Sequence, residues 1–484
     1  MGEAVGLLGV LLGLGLLIWL AYRGWSVLLV APAAALLAVL FAGEPLLAHW
    51  TQTFMGGAAS FLAQFFPLFL LGAVFGKLMD DSGSALAIAR FMTERLGRGR
   101  AVLAVVLSCA LLTYGGVSLF VVAFAVLPVA DALFRQADIP HRLIPATIAL
   151  GAFTFTSSAL PGTPAIQNAI PMPYFGTTPF AAPGLGVVAA GVMLVFGLWW
   201  LGRVEAAARR AGEGYGPEPH ATKDEQLVRE RATTADTFDP AEVPRGRHGE
   251  ELPPFSLAAL PVFVVVAVNL AMTALVLPRL ETGFLAEPRW GATSLSAVGG
   301  VWSVATALLA AVGVLVLANR RRLPALRESV DAGANASVLP AFNTASQVGF
   351  GAVIAALPAF AVVRDGLLAL GGGPLVSLGV ATSVIAGITG SASGGLTISL
   401  EALGETYAAM AAQAGIDPEL MHRVAAMGAG SLDMLPHNGA VITLLAVCDA
   451  THRESYRDIA VVGILGPLLA LAAVVALGSA LGSF

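Results

Sequence analysis

Ionisable and polar side chains interrupt the apolar stretch from Ala425 to Cys448, where Asp433, His437 and Asn438 lie among Met, Leu, Ala and Val. An ionisable side chain at membrane depth costs about 2.5–3.5 kcal/mol on insertion scales, so such residues usually have a function. If the stretch is helical, the spacing of four places Asp433 and His437 on one face, where they could exchange a proton. The alternatives are that Asp433 caps a helix or pairs with an arginine, and that His437 is an interior histidine with satisfied hydrogen bonds.

A second stretch, from Thr154 to Tyr174, combines hydroxyl side chains with four prolines inside apolar sequence. A proline in a helix interior removes a hydrogen bond and distorts the turn. Such backbone is tolerated at membrane depth only where protein or a water-filled cavity satisfies it. We therefore expect a re-entrant hairpin rather than an ordinary external loop, and a second hairpin in the Asp433 stretch. The predicted ligand contacts of the two hairpins are Ser157, Ser158, Pro161, Gly162, Thr163, Pro436, Asn438 and Gly439.

Two glycine pairs lie within long apolar stretches, and each is followed two residues later by a hydroxyl side chain. Glycine pairs let a helix break and let another backbone approach closely. The new N-terminus of a broken helix carries partial positive charge, which attracts carboxylates. The alternative is close helix packing without a ligand. The predicted contacts from these segments are Gly115, Gly116, Ser118, Gly394, Gly395 and Thr397.

The elements that must position these residues are transmembrane helices. The chain has 484 residues, of which 57% are hydrophobic and 12% charged, whereas a soluble domain carries roughly 25% charged residues. Its apolar runs reach the roughly 17–25 residues that cross a bilayer, and they recur from Val5–Leu20 to Ile459–Leu481. The runs lack the alternation of a transmembrane barrel. We predict an all-α polytopic membrane protein whose first run is a retained helix.

The sequence also argues against several classes of function. It has no basic patch interleaved with aromatic residues that would indicate nucleic-acid binding, and both cysteines, Cys109 and Cys448, lie inside apolar stretches. That placement argues against a disulfide framework or a metal cluster. Nucleotide-binding, protease and metal-binding motifs are absent from the sequence. We therefore expect no cofactor, no metal and no enzymatic activity, and we expect transport driven by an ion or substrate gradient.

An internal duplication is predicted from three short matches that recur in one order. Gly-Gly-x-Ser/Thr, His-Arg and Leu-Pro-x-x-x-Ala occur between residues 115 and 165 and again between residues 394 and 440. The copies flank a hydrophilic segment, Arg203 to Glu251, that holds 8 Lys/Arg and 11 Asp/Glu and is typical of a flexible linker. We predict a first transmembrane repeat (1–202), a cytoplasmic linker (203–254) and a second transmembrane repeat (255–484).

Clusters of Lys and Arg near span ends predict the orientation of the chain, because such clusters favour the cytoplasmic side. Three clusters are expected there, at residues 90–100, 203–210 and 320–327. Two spans separate the second cluster from the third, which returns the chain to the same side. Extending this scheme makes the two repeats inverted. The hairpin tips of inverted repeats meet at a shared site, so Pro161 and Pro436 are expected close together near the bilayer midplane.

Four segments resemble the gluconate permease (GntP) family, and the resemblance spans nearly the whole chain. They are Phe75–Gly83, Leu160–Pro171, Ala341–Ser346 and Leu432–Ala440. The resemblance implies the ion transporter superfamily, with two inverted repeats and re-entrant hairpins, in the bacterial inner membrane. It adds Asn343 to the predicted substrate contacts. The form Leu-Asp-x-Leu-Pro-His-Asn-Gly is more similar to the hydroxybutyrate-permease-like branch than to the sugar-acid branch.

The resulting functional prediction is a secondary active transporter for small hydroxylated organic acids such as gluconate or 3-hydroxybutyrate. Proton symport is expected through Asp433 and His437, with sodium coupling left open. The alternatives are a passive organic-anion channel and a di/tricarboxylate carrier of the same superfamily. The expected partners are a small organic anion, a coupling proton and the lipid bilayer, with a homodimer left open and no nucleic acid.

Overall fold

A computed structural model describes residues 2–23, 25–216, 252–368, 371–436 and 438–484. Every regular element within these ranges is helical, which confirms the predicted all-α fold. Two predictions concern residues outside these ranges, namely the role of His437 and the course of the hydrophilic linker between residues 217 and 251.

The helices alternate between long apolar rods and short pieces. Those before residue 217 are α1 (Gly2–Tyr22), α2 (Val27–Ala42), α3 (Leu46–Asp81), α4 (Ser84–Leu96), α5 (Ala101–Tyr114), α6 (Leu119–Ala137), α7 (Ile144–Ala152), α8 (Phe155–Ser158), α9 (Ile166–Ala169), α10 (Pro171–Phe175) and α11 (Pro183–Arg210). Those after residue 251 are α12 (Phe255–Arg279), α13 (Leu295–Ala318), α14 (Leu326–Ala356), α15 (Phe360–Leu368), α16 (Gly373–Thr389), α17 (Ala392–Ala414), α18 (Pro418–Ala429), α19 (Gly439–Val447) and α20 (His452–Leu481).

Six of the described helices are 24–36 residues long and apolar enough to cross a bilayer, namely α3, α11, α12, α13, α14 and α20. The bent pair Ser84–Leu96 and Arg98–Tyr114 passes the same test, with an angle of 105° between its two helices. Large apolar side chains such as Leu47, Val195 and Leu317 are exposed on these helices, as expected of surfaces that face lipid. The chain is therefore a multi-pass membrane protein, as predicted.

The same order of elements occurs on both sides of the linker. A packed helix pair (α1–α2, α12–α13) precedes a long helix (α3, α14), a short helix (α4, α15) and a helix that ends at a glycine (α5, α16). Two helices (α6–α7, α17–α18), an irregular segment and a final long helix (α11, α20) follow. In addition, α5 packs against α7 just as α16 packs against α18. This recurrence supports the predicted duplication, and the inverted relation of the halves remains a prediction.

Helices α5 and α16 end in the same way. After α5, Gly116 has a φ of +93° and the N–H of Val117 donates to the carbonyl of Leu112 at 3.1 Å. After α16, Gly390 has a φ of +67°, and the next N–H reaches back five residues to the carbonyl of Ala386 at 3.3 Å. Glycine adopts this left-handed conformation without a steric penalty and commonly ends helices. The chain then turns and begins a new helix.

The break after α16 lies four residues before the glycine pair that was predicted to cause it. Gly394 and Gly395 belong to the first turns of α17. A Cβ on Gly394 would lie 1.2 Å from Oε1 of Gln347, and one on Gly395 would lie 2.3 Å from Cα of Ala386. The prediction that this pair breaks the helix is wrong, because the pair instead permits close packing of α17 against α14 and α16.

Two irregular segments occupy equivalent places in the two halves. Tip 1 comprises residues 159–165, between α8 and α9, and tip 2 comprises the described residues 430–436 and 438, between α18 and α19. The segments begin near each other, since a Cβ on Gly430 would lie 3.1 Å from Oγ of Ser158. Contact at this point fits two tips that share one site. The separation of Pro161 from Pro436 and the re-entrant direction of the tips remain predictions.

Candidate functional site

A cavity of about 160 Å³ lies between the two halves of the chain, beside the break that joins α5 to α6. It far exceeds the roughly 10–15 Å³ that one water molecule requires. Its walls come from α3, the break, the end of tip 1, α9, α14 and α17, and none of its lining residues is charged. These residues are Leu68, Phe69, Gly72, Ala73, Thr113, Gly116, Val117, Ser118, Leu119, Pro164, Ala165, Ile166, Gln167, Ala336, Ser337, Pro340 and Ser393.

The N-terminal ends of two long helices reach this cavity. Ser118 and Leu119 line it at the start of α6, and Ser393 lines it at the start of α17. The first N–H groups of a helix have no intrahelical acceptor, and they carry the positive end of the helix dipole. In α17, the hydroxyl of Ser391 accepts one of them, from Gly394 at 3.2 Å, whereas the side chain of Ser118 caps no N–H of α6. The two ends together favour an anionic group in the cavity.

Thr113 supplies a hydroxyl at the end of α5. Its side chain is 4% exposed and lines the cavity. Among the described residues, no hydrogen-bond partner exists for its Oγ1. A buried polar atom without a partner is unfavourable by about 1–3 kcal/mol. A polar group of a ligand in the cavity would give this hydroxyl a partner.

Tip 1 is a fixed part of the cavity wall. Three successive carbonyls of the tip each accept a side-chain hydrogen bond. Pro161 accepts from the hydroxyl of Tyr114 at 2.7 Å, Gly162 from the amide of Asn269 at 2.9 Å, and Thr163 from the amide of Asn168 at 3.1 Å. Because the donors come from different parts of the chain, the irregular backbone is held in one conformation. Residues 164–167, which follow directly, form the wall.

Of the residues predicted in the first half, the structure brings Gly116 and Ser118 to the cavity. The hydroxyls of Ser157 and Ser158 instead donate to the carbonyl of Thr154, at 3.0 and 3.3 Å. The hydroxyl of Thr163 accepts from the N–H of Ala165 at 3.4 Å. The cavity lining does not include Ser157, Ser158, Pro161, Gly162 or Thr163. Gly115 also lies outside this lining, and a Cβ there would lie 2.7 Å from the side chain of Val262.

The predicted residues of α14 and α17 lie behind the wall rather than in it. Thr397 is buried, and its hydroxyl donates to the carbonyl of Ser393 at 2.7 Å. Asn343, the contact implied by the family resemblance, is buried in α14, and its Oδ1 has no hydrogen-bond partner among the described residues. Gly394 and Gly395 are packing positions, as described above. From this half, the predicted set thus misses Ser393, which does line the cavity.

Tip 2 is held by Asn438 at its own end and by α20. The side-chain amide of Asn438 donates to the carbonyl of Gly390 at 2.6 Å, and its Oδ1 accepts from the N–H of Ala440 at 2.6 Å. It therefore caps α19, whose first residue is the predicted contact Gly439. The predicted contact Pro436 is exposed, and its carbonyl lies 2.9 Å from Nε2 of His452.

Asp433 is half-buried in the middle of tip 2, and its Oδ1 is buried without a hydrogen-bond partner among the described residues. Among the described residues, Asp433 neither caps a helix nor forms an ion pair with an arginine. Its expected neighbour His437 lies outside the described residues, so their pairing stays a prediction.

Sequence reasoning missed the role of Arg423, which it used only as a marker of the repeated His-Arg pair. The side chain is fully buried in α18 and bonds to residues on either side of tip 1. The sequence did contain a signal for this role, because Arg423 directly precedes the apolar residues 424–429 of α18. Charged side chains are rarely buried unless they have a partner. The other arginine of the repeat, Arg142, is partly exposed and bonds to Glu213 and Asp458.

A larger and more open cleft of about 860 Å³ lies where α11 ends and α20 begins. Its lining includes five arginines, but three acidic residues share it and Arg142 bonds to two of them. The hydrogen bond from Arg142 lowers the pKa of Glu213 below its usual value. Because its charges are partly neutralised by one another, this cleft is a weaker candidate for a transported anion than the uncharged cavity.

Comparison with known proteins adds a family and a fold. The sequence model described as GntP family permease matches residues 2–174. The uncharacterized transporter YxjC of Bacillus subtilis strain 168 is 44% identical over 456 residues, which cover 93% of this chain and 94% of that protein. Among solved structures, MtrF of Neisseria gonorrhoeae, described within a class of antimetabolite efflux pumps, has a TM-score of 0.52 at 14% identity, over 90% of this chain and 85% of that chain. The YdaH transporter of Alcanivorax borkumensis has a TM-score of 0.46 at 15% identity, over 90% and 89%.

Proposed function

The chain belongs to the GntP family of permeases, and we propose that it takes up small hydroxylated monocarboxylates by proton symport. The family and the YxjC relative make it a membrane transporter rather than an enzyme, as predicted. The observation that supports the substrate class is the uncharged cavity at which the N-terminal ends of α6 and α17 converge.

The chemistry of the lining fits a small hydroxy acid. Two helix N-termini favour one carboxylate without requiring a lysine or arginine. Hydroxyls of Thr113, Ser118, Ser337 and Ser393 line the same space and suit a substrate that carries hydroxyl groups. The small volume and the lack of fixed charge favour a monocarboxylate over a di- or tricarboxylate. Gluconate and 3-hydroxybutyrate are the two candidates that the family resemblance suggests.

Asp433 is the proposed proton carrier. Its Oδ1 has no donor among the described residues, so this oxygen receives no hydrogen bond that would stabilise the charged form. Uptake of a proton removes that charge, and arrival of an anionic substrate favours the same change. Asp433 lies in tip 2, which Asn438 connects to the break at Gly390. A change at Asp433 can therefore reach the start of α17 and the cavity.

We place the protein in the bacterial inner membrane, with the arginine clusters and the central linker on the cytoplasmic side. The proposed organisation is two inverted repeats, residues 1–202 and 255–484, joined by the linker 203–254. The recurrent order of elements supports this division. Labelling of single cysteines from each side of the membrane tests the orientation.

Uptake by proteoliposomes tests the proposed function. The purified protein is reconstituted, and uptake and counterflow of labelled 3-hydroxybutyrate and gluconate are measured with and without a pH gradient. Symport predicts accumulation that depends on the gradient and collapses with an uncoupler. Accumulation that depends on neither the pH gradient nor the uncoupler would contradict proton coupling. A sodium gradient then tests coupling to sodium. Substrate-evoked current without accumulation would indicate a channel, and inhibition by succinate or citrate would indicate a di/tricarboxylate carrier.

A further inference from the structure

We infer that Arg423 is a positioning residue, which holds tip 1 and the wall of the cavity in place from the second half of the chain. The inference rests on the proposed function, because the wall in question is that of the proposed substrate site. Arg423 lies in α18, and its side chain is the largest fully buried one among the described residues.

The guanidinium joins three points of the first half. Nη1 donates to the carbonyl of Ser158 at 3.1 Å and to Oδ1 of Asn168 at 3.2 Å. Nε and Nη2 donate to the carbonyl of Ala181 at 3.2 and 2.5 Å. Ser158 precedes tip 1, Asn168 follows it, and Ala181 lies two residues before the start of α11. A planar guanidinium spreads its donors over three nitrogens and can bridge such acceptors at once, whereas lysine holds all its donors on one nitrogen and does not match this arrangement.

Asn168 connects Arg423 to tip 1 and to the cavity wall. Its Nδ2 donates to the carbonyls of Thr163 and Pro179, at 3.1 and 2.9 Å. Its Oδ1 accepts from Arg423 and lies 3.2 Å from Nε2 of His422. The residue before it, Gln167, lines the cavity. Tip 1 and the wall therefore depend on an amide whose orientation Arg423 and His422 determine.

His422 completes the same attachment. Its Nδ1 lies 2.6 Å from the hydroxyl of Thr177, beyond tip 1. If Nε2 carries the proton, it donates to Asn168 while Nδ1 accepts from Thr177, so that both ring nitrogens are satisfied. Among the described residues, the side-chain hydrogen bonds of this His-Arg pair thus all run to the segment between residues 158 and 181, which contains tip 1.

Glu419 attracts the charge of Arg423 without forming a direct ion pair with it. Among the described residues, no carboxylate oxygen forms an ion pair with its guanidinium within 4 Å. Glu419, one turn earlier on α18, accepts the N–H of Ala182 at 3.0 Å. Backbone and amide oxygens therefore accept the direct hydrogen bonds of the buried guanidinium. The guanidinium contacts Asn168, the neighbour of Gln167 in the cavity lining. A positive charge at this place favours an anion in the cavity.

Arg142 offers a matched control within the chain. It is the other arginine of the repeated pair, and its guanidinium contacts Glu213 and Asp458 rather than either tip. We compare Arg423→Lys with Arg142→Lys in proteoliposomes. A misplaced binding wall can reduce efficiency by one to two orders of magnitude. The expected result is a KM at least about tenfold higher for Arg423→Lys, with a maximal rate within about threefold of the parent, and an unchanged KM for Arg142→Lys.

A second measurement needs no substrate, so it separates this inference from the proposed function. Ala165 lines the cavity and is half-buried, while the native Cys109 and Cys448 are buried. In an Ala165→Cys background, the rate of labelling by a polar maleimide reports the position of the wall. We expect Arg423→Lys to change this rate by at least about fivefold, while Arg142→Lys leaves it unchanged.

The outcomes are distinct. Unchanged labelling and unchanged KM in Arg423→Lys would overturn the inference. Changed labelling in a protein that transports neither acid would leave the inference standing and contradict the proposed function. If Arg423→Lys does not reach the membrane, Asn168→Asp tests the same link, since it keeps the acceptor for Arg423 but loses the donors to Thr163 and Pro179. Unchanged labelling in that variant would also overturn the inference.

Discussion

Tip 1 and tip 2 occupy the same place in the order of elements, but they are held in different ways. The three central carbonyls of tip 1 each accept a bond from a side chain elsewhere, and buried Arg423 holds both of its ends. Tip 2 is held mainly by Asn438 and by α20, and it keeps an exposed proline and an aspartate with an unpaired oxygen.

This difference suggests a division of work within one site. A segment whose central carbonyls are bonded to side chains of the protein can form a fixed wall, because these bonds need not change when a ligand binds. A segment with an unpaired ionisable group can change state when a proton arrives. We therefore assign substrate positioning to tip 1 and coupling to tip 2, and the following experiments test that assignment.

The largest expected effect comes from Asp433→Asn in tip 2. Asparagine mimics the protonated acid, so it should abolish accumulation against a gradient while exchange of substrate across the membrane continues. Labelled uptake and counterflow are measured on the same proteoliposomes. The control is Asp449→Asn, at an exposed position with a φ of +50° that asparagine also tolerates. Accumulation by Asp433→Asn in response to a pH gradient would show that Asp433 is structural.

The next largest effect concerns the hydroxyl at the cavity. Thr113→Val should raise KM about tenfold, or about 1.4 kcal/mol, because it removes a hydrogen bond to the substrate. Thermal stability should hardly fall, since this hydroxyl has no partner among the described residues. Thr163 and Thr397 were predicted as ligand contacts, which would give Thr163→Val and Thr397→Val the same effect, but both hydroxyls are bonded within the protein. A higher KM in those two variants, with an unchanged KM in Thr113→Val, would indicate that the substrate binds outside the cavity.

A smaller effect comes from one matched pair of tyrosines. The hydroxyl of Tyr114 donates to the carbonyl of Pro161 in tip 1 at 2.7 Å, and that of Tyr456 donates to the carbonyl of Met434 in tip 2 at 3.2 Å. Each Phe variant should lose about 1 kcal/mol of stability. Tyr114→Phe should in addition raise KM several-fold, whereas Tyr456→Phe should change the pH dependence of uptake more than KM. Equal effects of the two variants on KM would contradict the assignment of substrate positioning to tip 1 and of coupling to tip 2.

The smallest expected effect concerns thermal stability and the ion pair of Arg142, the arginine of the first His-Arg pair, with Glu213. Arg142 lowers the pKa of Glu213 from its usual value of 4.5. A lowered pKa in the folded state means that the contribution to stability is present above the unfolded value and is lost as the pH falls through the folded value. The parent should therefore lose slightly more thermal stability below pH 4.5 than Glu213→Gln does. Because this pair is partly exposed, the difference should be small and should shrink in high salt. A large difference would show that the surface pair is a major structural element too.

Much of the architecture could be read from local sequence. Long apolar runs predict membrane spans, since each residue type contributes to insertion largely on its own. Proline and glycine predict where helices are interrupted, because they act on the backbone at their own position. The family was recognisable from four short segments, and the prediction is confirmed. Even so, the second break was misplaced by four residues, because Gly390 ends α16 while Gly394 and Gly395 serve packing.

The composition of the site was decided by the tertiary structure. Hydroxyls that look alike in the sequence differ in their partners: that of Ser158 bonds to its own turn, and that of Thr113 is left unpaired at a cavity. Arg423 is 265 residues from Ser158 in the chain, yet it donates to that carbonyl. Hydropathy and spacing describe where helices form and break, but hydrogen-bond partners so far apart are chosen only when the two halves pack together. The sequence by itself therefore determined a multi-pass GntP-family helical protein with interrupted spans, and packing between its halves decided which polar groups remain available to a substrate.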